Sequence, residues 1–152
     1  MMRKLLLYIV FAICLFTSCQ RGHLYCHSTD LPTKGWHQDS ILSFAYAPID
    51  SLQDYSIRFV VRHNGQYPYQ NLWMFVKEYR DSFCTHIDTI ECSLADDFGR
   101  WHGRGTHVYE LELIYEEPVR YGSGNYSILI EHGMREEILK GILSVGVDIV
   151  EY

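Results

Sequence analysis

From residue 36 onward, most of the chain alternates apolar and polar residues with the period of two expected of a strand with one buried face. In the segment 54–63, Tyr55, Ile57, Phe59 and Val61 share one face. The segment 71–80 begins apolar on both faces, which is typical of a central strand. Further segments of this kind lie at 41–47, 106–117, 125–132 and 142–152.

Turn-forming residues separate these segments, in short runs such as HNGQYP and RYGSGN. The segment 134–141, MREEILKG, has the spacing of a single helical turn that Gly141 would end. Strands and helices do not alternate in the pattern, which disfavours a doubly wound α/β fold. The pattern therefore predicts an all-β fold, an antiparallel β-sandwich of the Greek-key or jelly-roll type.

The first residues have the layout of a bacterial secretion signal. The basic start MMRK precedes an apolar run at 5–16, which is shorter than the about 20 residues of a membrane-spanning helix. The motif FTSC resembles the lipobox of lipoproteins, although Phe16 replaces the usual aliphatic residue. An ordinary cleaved signal peptide and an uncleaved anchor are the alternatives. We expect a lipoprotein signal helix at 1–18, Cys19 acylated with fatty acids such as palmitate, a lipidated tether at 19–35 and the sandwich domain at 36–152.

The formal net charge of −6 comes without any basic stripe, which argues against a nucleic-acid partner. Loss of Arg3 and Lys4 with the signal would make the mature chain still more acidic. By analogy with lipoprotein sorting, Gln20 in place of Asp favours the outer membrane. The stretch QRGHLY has no acidic run of the kind that exports some surface lipoproteins, so we expect the periplasmic face.

Three cysteines, Cys26, Cys84 and Cys92, would remain unacylated in the mature chain, and the sequence does not determine their redox state. Cys84 and Cys92 could close a hairpin as a disulfide. The segment 85–94 between and around them has no turn signal, so a single strand is favoured, and on it the two thiols would be too far apart to bridge.

The stretch 96–107, DDFGRWHGRGTH, combines three glycines with Trp101, two arginines and two histidines. A phosphate-binding loop would lead into a helix and carry a Lys-Ser/Thr pair, but this stretch leads into a strand pattern. We therefore interpret it as a wide connection in which Trp101 is an apolar plug. Its glycines, Gly99, Gly103 and Gly105, would adopt positive φ angles.

No residue set in the sequence has the spacing of a metal or catalytic site, so we expect no metal, no cofactor and no enzymatic activity. His102 and His107 lie five apart, and Cys84 and His86 would share a strand face, but neither pair completes a zinc set. No nucleophile elbow is present. Two acidic residues of one strand, Glu110 and Glu112, fit a solvated outer face better than a glycosidase groove. Exposed aromatic residues could instead stack on sugar rings, which keeps a carbohydrate-binding sandwich as the alternative.

Several motifs in order resemble the GldH family of gliding-motility lipoproteins. They are GWHQDSILSF at 35–44, VRHNGQYPYQNLW at 61–73, Asp-Thr at 88–89, LADDFGRWHGRG at 94–105 and GNYSILIEHGMREEILKGILSVGVDI at 124–149. The resemblance implies a non-catalytic lipoprotein of the machinery that drives gliding or exports adhesins across the envelope. In a non-gliding bacterium it implies an envelope-assembly or secretion role.

A protein of this kind acts through a surface on other envelope proteins, which we take as its partners, with any small-molecule ligand unknown. Eight residues within the matching motifs are candidates either for closing the ends of the sandwich or for forming a partner patch, and the structural role is favoured. They are Trp36, Tyr67, Pro68, Asn71, Gly99, Trp101, Gly103 and Gly105.

Overall fold

A computed structural model describes residues 22–48 and 52–152. The expected signal segment 1–18 and the lipidation residue Cys19 lie outside the described residues. Within these residues the fold is all-β, as predicted, and no helix has the length and apolarity of a membrane span. The strands are β1 (His23–Asp30), β2 (Trp36–His37), β3 (Leu42–Tyr46), β4 (Asp54–Asn64), β5 (Asn71–Arg80), β6 (Phe83–Ser93), β7 (Val108–Arg120), β8 (Tyr126–His132), β9 (Ile138–Leu139) and β10 (Ile142–Glu151).

Eight of these strands form two antiparallel four-stranded sheets that pack as a sandwich. Sheet 1 has the order β1-β10-β4-β7, and sheet 2 has the order β3-β8-β5-β6. Taken in chain order, the eight strands pair first with eighth, second with seventh, third with sixth and fourth with fifth. This nested pairing is the jelly-roll arrangement. The short strands β2 and β9 form a separate antiparallel pair.

The core lies between the two sheets and is built from the alternate residues that the sequence pattern assigned to it. Tyr55, Ile57, Phe59 and Val61 of β4 are all buried, as predicted. Sheet 2 contributes inward residues from three strands: Leu42, Phe44, Leu72, Met74, Val76, Ile128 and Ile130. Strand β5 lies inside its sheet, as predicted, yet the outward side chains of Trp73 and Phe75 remain exposed.

Two predictions about local structure were wrong. The tether expected at 19–35 contains strand β1, which pairs with β10 along its length. Most side chains of β1 are polar and exposed, which hid the strand. It is held by backbone pairing with β10 and by Leu24 and Tyr25, which pack against the core. The helical turn expected at 134–141 is absent, and β9 lies there instead. Leu139 is buried in the core opposite Trp36, so tertiary packing overrides the helical spacing.

The jelly-roll connections place different parts of the chain at the two ends of the sandwich. One end carries the segments 31–41, 65–70, 94–107 and 133–141, and we call it the loop end. The opposite end carries the start of β1, the end of β10 and the other connections, and we call it the terminus end. The pair of His23 and Val150 lies at the terminus end of sheet 1, whereas the pair of Asp30 and Ser144 lies at the loop end.

Candidate functional site

Trp36 fastens the segment 31–41 to the segment 133–141 at the loop end. Trp36 is fully buried, and its indole N–H donates to the carbonyl oxygen of Ser40 at 2.9 Å. The ring also meets the imidazole of buried His132 edge-on, with 5.2 Å between ring centroids. A buried tryptophan with its N–H satisfied stabilises packing strongly, which supports a structural role for this residue.

The segment 65–70 is held in the same end of the sandwich by Tyr67. This side chain is buried, and its hydroxyl donates to the carbonyl oxygen of Asn71 at 2.8 Å. Gly141, at a φ of 90°, lets the segment 133–141 approach the Tyr67 backbone closely, because a Cβ there would lie 2.5 Å from the Tyr67 nitrogen. Pro68 is exposed, whereas the Asn71 amide donates to the Glu91 carboxylate on β6.

The predicted loop at 96–107 begins with a tight turn built on Asp96. The carboxylate of Asp96 accepts the backbone N–H groups of Phe98 and Arg100, both at 2.9 Å, and the Arg100 side chain at 2.8 Å. Hydrogen bonding from Arg100 holds the pKa of Asp96 below its usual value. Gly99 has a φ of 77°, and Phe98 at the tip is 84% exposed. The turn therefore displays a large aromatic side chain in a defined position.

Trp101 follows that turn and covers a buried histidine. The backbone of Trp101 forms an isolated antiparallel β-bridge with Ala95. Its ring contacts the imidazole of His63 edge-on, with 4.6 Å between ring centroids. His63 is fully buried and also stacks on Tyr109 at 5.4 Å. Burial lowers the pKa of His63, which therefore stays neutral near pH 7. The half-buried indole fits the predicted plug.

The glycines of this loop are required for its shape. Gly103 and Gly105 have φ angles of 86° and 138°, as predicted for the loop. A Cβ would lie 2.1 Å from the carbonyl oxygen of Glu110 at Gly103, and 1.7 Å from that of Val108 at Gly105. The loop consequently lies directly against the first residues of β7, which it contacts through paired backbone hydrogen bonds between Arg104 and Glu110.

The structure thus gathers Trp36, the 67–71 segment and the 99–105 loop at one end of the molecule, although they are far apart in sequence. Two residues of this site were missed, His63 and His132, which pack against Trp101 and Trp36. A signal for His63 existed, because it continues the buried odd-numbered face of β4. Whether the eight candidates also form a partner patch stays a prediction.

An open cleft of about 640 Å³ lies beside this site, on the outward face of sheet 2. Its rim is partly fixed by a hydrogen bond from the Tyr69 hydroxyl to Glu136 at 2.8 Å and by one from the Gly133 N–H to the Trp73 carbonyl at 2.7 Å. Two aromatic rings, an amide and two charged side chains are among the lining residues, which are Tyr69, Asn71, Trp73, Gly133, Met134, Arg135 and Glu136.

The other sequence candidates are accounted for by strand geometry. Glu110 and Glu112 share the outer face of sheet 1, as expected, where they form ion pairs with Arg62 and Arg58 respectively. Exposed ion pairs of this kind contribute little stability. They cover a solvated face of the sheet and do not confront each other across a groove.

Cys84 and Cys92 both lie on β6, so the single-strand prediction is confirmed, and neither forms a disulfide in the structure. The expectation that Cys84 and His86 share a face was wrong. Cys84 pairs with Tyr79 and His86 pairs with Glu78, and these neighbouring partners point to opposite faces. A bulge between the two pairs changes the alternation.

Comparison with known proteins gives consistent relatives over nearly the whole chain. A family model described as GldH lipoprotein matches residues 23–149. The chain is 32% identical over 146 residues to the gliding motility lipoprotein GldH of Flavobacterium johnsoniae, covering 91% of each chain. It is 32% identical over 146 residues to a gliding motility lipoprotein GldH homolog of Christiangramia forsetii, covering 90% of this chain and 89% of that one.

The solved structures show a weaker likeness. The VP2 subviral particle of infectious bursal disease virus is similar at 15% identity, with a TM-score of 0.34 over 84% of this chain and 30% of that chain. A TM-score this low supports no inference about fold or function.

Proposed function

We propose, since this chain belongs to the GldH lipoprotein family, that it is a non-catalytic component of the gliding-motility machinery or of an associated secretion apparatus in the cell envelope. Membership in a lipoprotein family implies association with a membrane. The finer proposal is that a signal peptide is removed, that Cys19 is acylated and that the protein is anchored at the periplasmic face of the outer membrane. It would act by contacting another envelope protein through its loop end.

The observation that carries this proposal is the separation of the two ends of the sandwich. Gly22 lies at the terminus end, where its carbonyl oxygen accepts the backbone N–H of Glu151 at 3.0 Å. Cys19 lies three positions before Gly22, and three fully extended steps along the chain span at most about 11 Å. An anchor at Cys19 would therefore hold the terminus end near the bilayer and direct the loop end away from it.

The loop end also has the features of a contact surface. Its loops are fixed from below by Trp36, Tyr67 and Trp101, so their exposed side chains are presented without a large ordering cost. Phe98, 84% exposed on the hydrogen-bonded Asp96 turn, is the most prominent of them. A large aromatic side chain on a rigid turn is a typical anchor residue of a protein–protein interface.

Site-specific photocrosslinking in the native envelope tests this proposal. A photoreactive phenylalanine analogue replaces Phe98 in one variant and Phe83 in a matched control. Phe83 is similarly exposed, at 78%, but it lies in the β5–β6 hairpin at the terminus end. We expect a discrete adduct with one envelope protein from position 98, and the same adduct to be lost when Gly103 is replaced by alanine.

An adduct with that protein from position 83 instead, or from both positions equally, would contradict contact through the loop end. If the proposal holds, Phe98→Ser weakens co-purification of the identified protein, whereas Phe83→Ser leaves it unchanged. Thermal melting of both variants controls for folding, and neither substitution removes a buried side chain.

The aromatic cleft beside the loop end favours carbohydrate binding as a second candidate function. Trp73 is 37% exposed, and the cleft places it beside Tyr69, Asn71 and Glu136, which offer a second ring and hydrogen-bonding groups. An aromatic ring with polar neighbours is the usual arrangement for stacking on a sugar ring while bonding its hydroxyls.

A glycan array probed with the full chain in detergent distinguishes the two functions. Carbohydrate binding requires saturable binding of a defined glycan that Trp73→Ala weakens by about tenfold or more, the equivalent of one stacking contact of about 1.4 kcal/mol. Phe83→Ala is the control, since that ring is exposed but far from the cleft. Absence of saturable binding would remove this candidate.

A further inference from the structure

Three side chains that commonly bind transition metals meet on the outer face of sheet 1, near the terminus end. The His23 Nδ1, the Cys26 Sγ and a carboxylate oxygen of Asp148 all lie within 4.8 Å of one another. His23 Nδ1 and Asp148 Oδ1 are 2.8 Å apart. In residues 22–48 and 52–152, this is the one group of three or more such side chains with that spacing. We infer that these residues form a zinc-binding site.

The strand register creates half of the site. Cys26 on β1 lies directly opposite Asp148 on β10. Residues opposite each other in an antiparallel pair point to the same face with their Cβ atoms about 4.5–5.5 Å apart. The neighbouring pair of Tyr25 and Ile149 faces the core, so Cys26 and Asp148 face outward together.

A strand irregularity adds the third ligand. In a regular strand His23 would point away from the Cys26 face, because the two residues are separated by an odd number of positions. The register of β1 against β10 shifts between His23 and Tyr25, where two steps along β1 match one step along β10. Such a bulge changes the direction of a side chain, and here it places the imidazole beside Asp148.

The chemistry of the three ligands suits zinc. Zn²⁺ binds imidazole nitrogen, thiolate and carboxylate at about 2.0–2.3 Å, and three protein ligands leave a fourth position for water. In a tetrahedron these bond lengths separate the ligand atoms by about 3.3–3.8 Å. In the structure the His23–Asp148 distance is 2.8 Å and no ligand atom is more than 4.8 Å from another, and His23 is exposed enough to adjust by rotation of its side chain.

The charges of the site also match a divalent cation. A thiolate and a carboxylate together balance Zn²⁺, and the Cys26 thiol would release one proton to solvent on binding. Burial and the neighbouring Asp148 raise the pKa of Cys26, so the thiol is protonated without metal. Arg58, opposite Asp148 on β4, places its guanidinium 3.9 Å from Glu112 of β7. Its positive charge therefore lies near two carboxylates, those of Asp148 and Glu112, and is not concentrated on the metal-binding group alone.

Zinc would fasten the first strand of the domain to the last. β1 is an edge strand of sheet 1, and its side chains are mostly exposed. A metal bridge between His23, Cys26 and Asp148 would clamp β1 to β10 where the chain enters the sandwich, four positions after Cys19. The clamp would stabilise the folded state by the free energy of metal binding.

Cobalt substitution tests the site in the full-length lipoprotein, purified in detergent with a thiol-free reductant. We expect one equivalent of Co²⁺ to produce a thiolate-to-metal charge-transfer band that Zn²⁺ abolishes by displacement. Cys26→Ser should remove the band. Asp148→Asn and His23→Ala should each weaken binding by about tenfold or more. We also expect Zn²⁺ to raise the melting temperature of the unsubstituted protein.

Two exposed residues outside the site are the matched controls. Cys84→Ser removes an exposed thiol on β6, and His27→Ala removes an exposed imidazole on β1, so both should retain the band and its affinity. Circular dichroism of the metal-free variants establishes that each is folded. A band that persists in Cys26→Ser or disappears in Cys84→Ser would overturn the proposal, as would the absence of saturable binding in the unsubstituted protein.

Discussion

An aromatic cluster closes each end of the sandwich, but the two clusters are built from different side chains. At the terminus end Tyr46, Tyr121 and Tyr126 pack together, and the hydroxyls of the first two are hydrogen-bonded at 3.1 Å. At the loop end Trp36 and Trp101 pack against buried histidines. The first cluster contains only tyrosines, whereas the second contains two buried histidines, which gain charge only on acidification because burial lowers their pKa.

In the proposed function, the two ends of the fold separate membrane attachment from contact with a partner protein. Nested strand pairing sends the chain terminus to one end and the long connections to the other. In the proposed orientation the tyrosine end faces the bilayer and the tryptophan–histidine end faces the partner. Four predictions test the difference between the ends, in order of decreasing effect.

Replacing Trp36 with alanine should cause the largest loss of stability, about 3–5 kcal/mol. The substitution leaves a cavity in the loop end and removes the hydrogen bond from the indole N–H to the Ser40 carbonyl oxygen. Denaturant unfolding followed by circular dichroism measures the change. Trp73→Ala is the matched control, since it removes the same side chain from an outward, 37% exposed position and should cost far less. Equal losses would show that Trp36 does not hold the loop end together.

Gly103→Ala should destabilise the protein more than Gly99→Ala. Both glycines have a positive φ, which costs alanine on the order of 1 kcal/mol. Only at Gly103 does the added Cβ collide with backbone, 2.1 Å from the Glu110 carbonyl oxygen, whereas nothing lies within 4 Å at Gly99. The difference in unfolding midpoint between the two variants isolates the close approach of the loop to β7. No difference would mean that the loop moves away freely.

Tyr121→Phe should destabilise the terminus end by about 1 kcal/mol, because it removes the hydrogen bond to Tyr46 from a buried position. Tyr152→Phe removes a hydroxyl from an exposed residue at the same end and should be neutral. Unfolding curves of the two variants give the comparison. If Tyr121→Phe leaves the free energy of unfolding unchanged, ring packing alone holds this cluster together.

Acid should weaken the loop end through His132 and His63. Burial lowers the pKa of both side chains, so they contribute stability that is fully present above the unfolded value of about 6.5 and lost as the pH falls through the folded pKa. At the terminus end burial raises the pKa of Glu78, so its contribution has the opposite sign and is lost as the pH rises.

Melting temperatures between pH 7 and pH 5 measure this effect, which we expect to be the smallest of the four. His132→Leu should reduce the loss on acidification, whereas His27→Leu, at an exposed position, should leave it unchanged. An unchanged pH dependence in His132→Leu would show that this histidine is not the acid-sensitive group.

Much of the fold follows from local sequence patterns, as β4 and the glycine loop show. The alternation at 54–63 predicts the burial of Tyr55, Ile57, Phe59 and Val61 on β4, and the glycines of 99–105 adopt the positive φ angles expected of them. Strand β1 and strand β9 could not be predicted in this way. Each is held by pairing with a distant strand, and neither has an alternating apolar face of its own.

The candidate sites likewise have parts that the sequence identifies and parts that only the tertiary structure brings together. Trp36, Tyr67 and Trp101 are identifiable from sequence motifs, but their common location depends on the jelly-roll connections. His23 and Asp148 are 125 positions apart, and their proximity requires both the β1–β10 register and the bulge near His23. The exposure of Trp73 could not be foreseen either, since the pattern of β5 is apolar on both faces.

The sequence by itself determined the all-β class, the inward faces of the long strands, the positive-φ positions and membership in a lipoprotein family. The first three depend on side-chain periodicity and backbone preference, which act over a few residues, whereas the family follows from the similarity of sequence motifs. Only the tertiary structure decided which ends carry the loops and the chain terminus, which face of β5 stays open, and which metal-binding side chains meet. Those outcomes depend on register and connection between strands distant in the chain, where a shift of one residue moves a side chain to the opposite face.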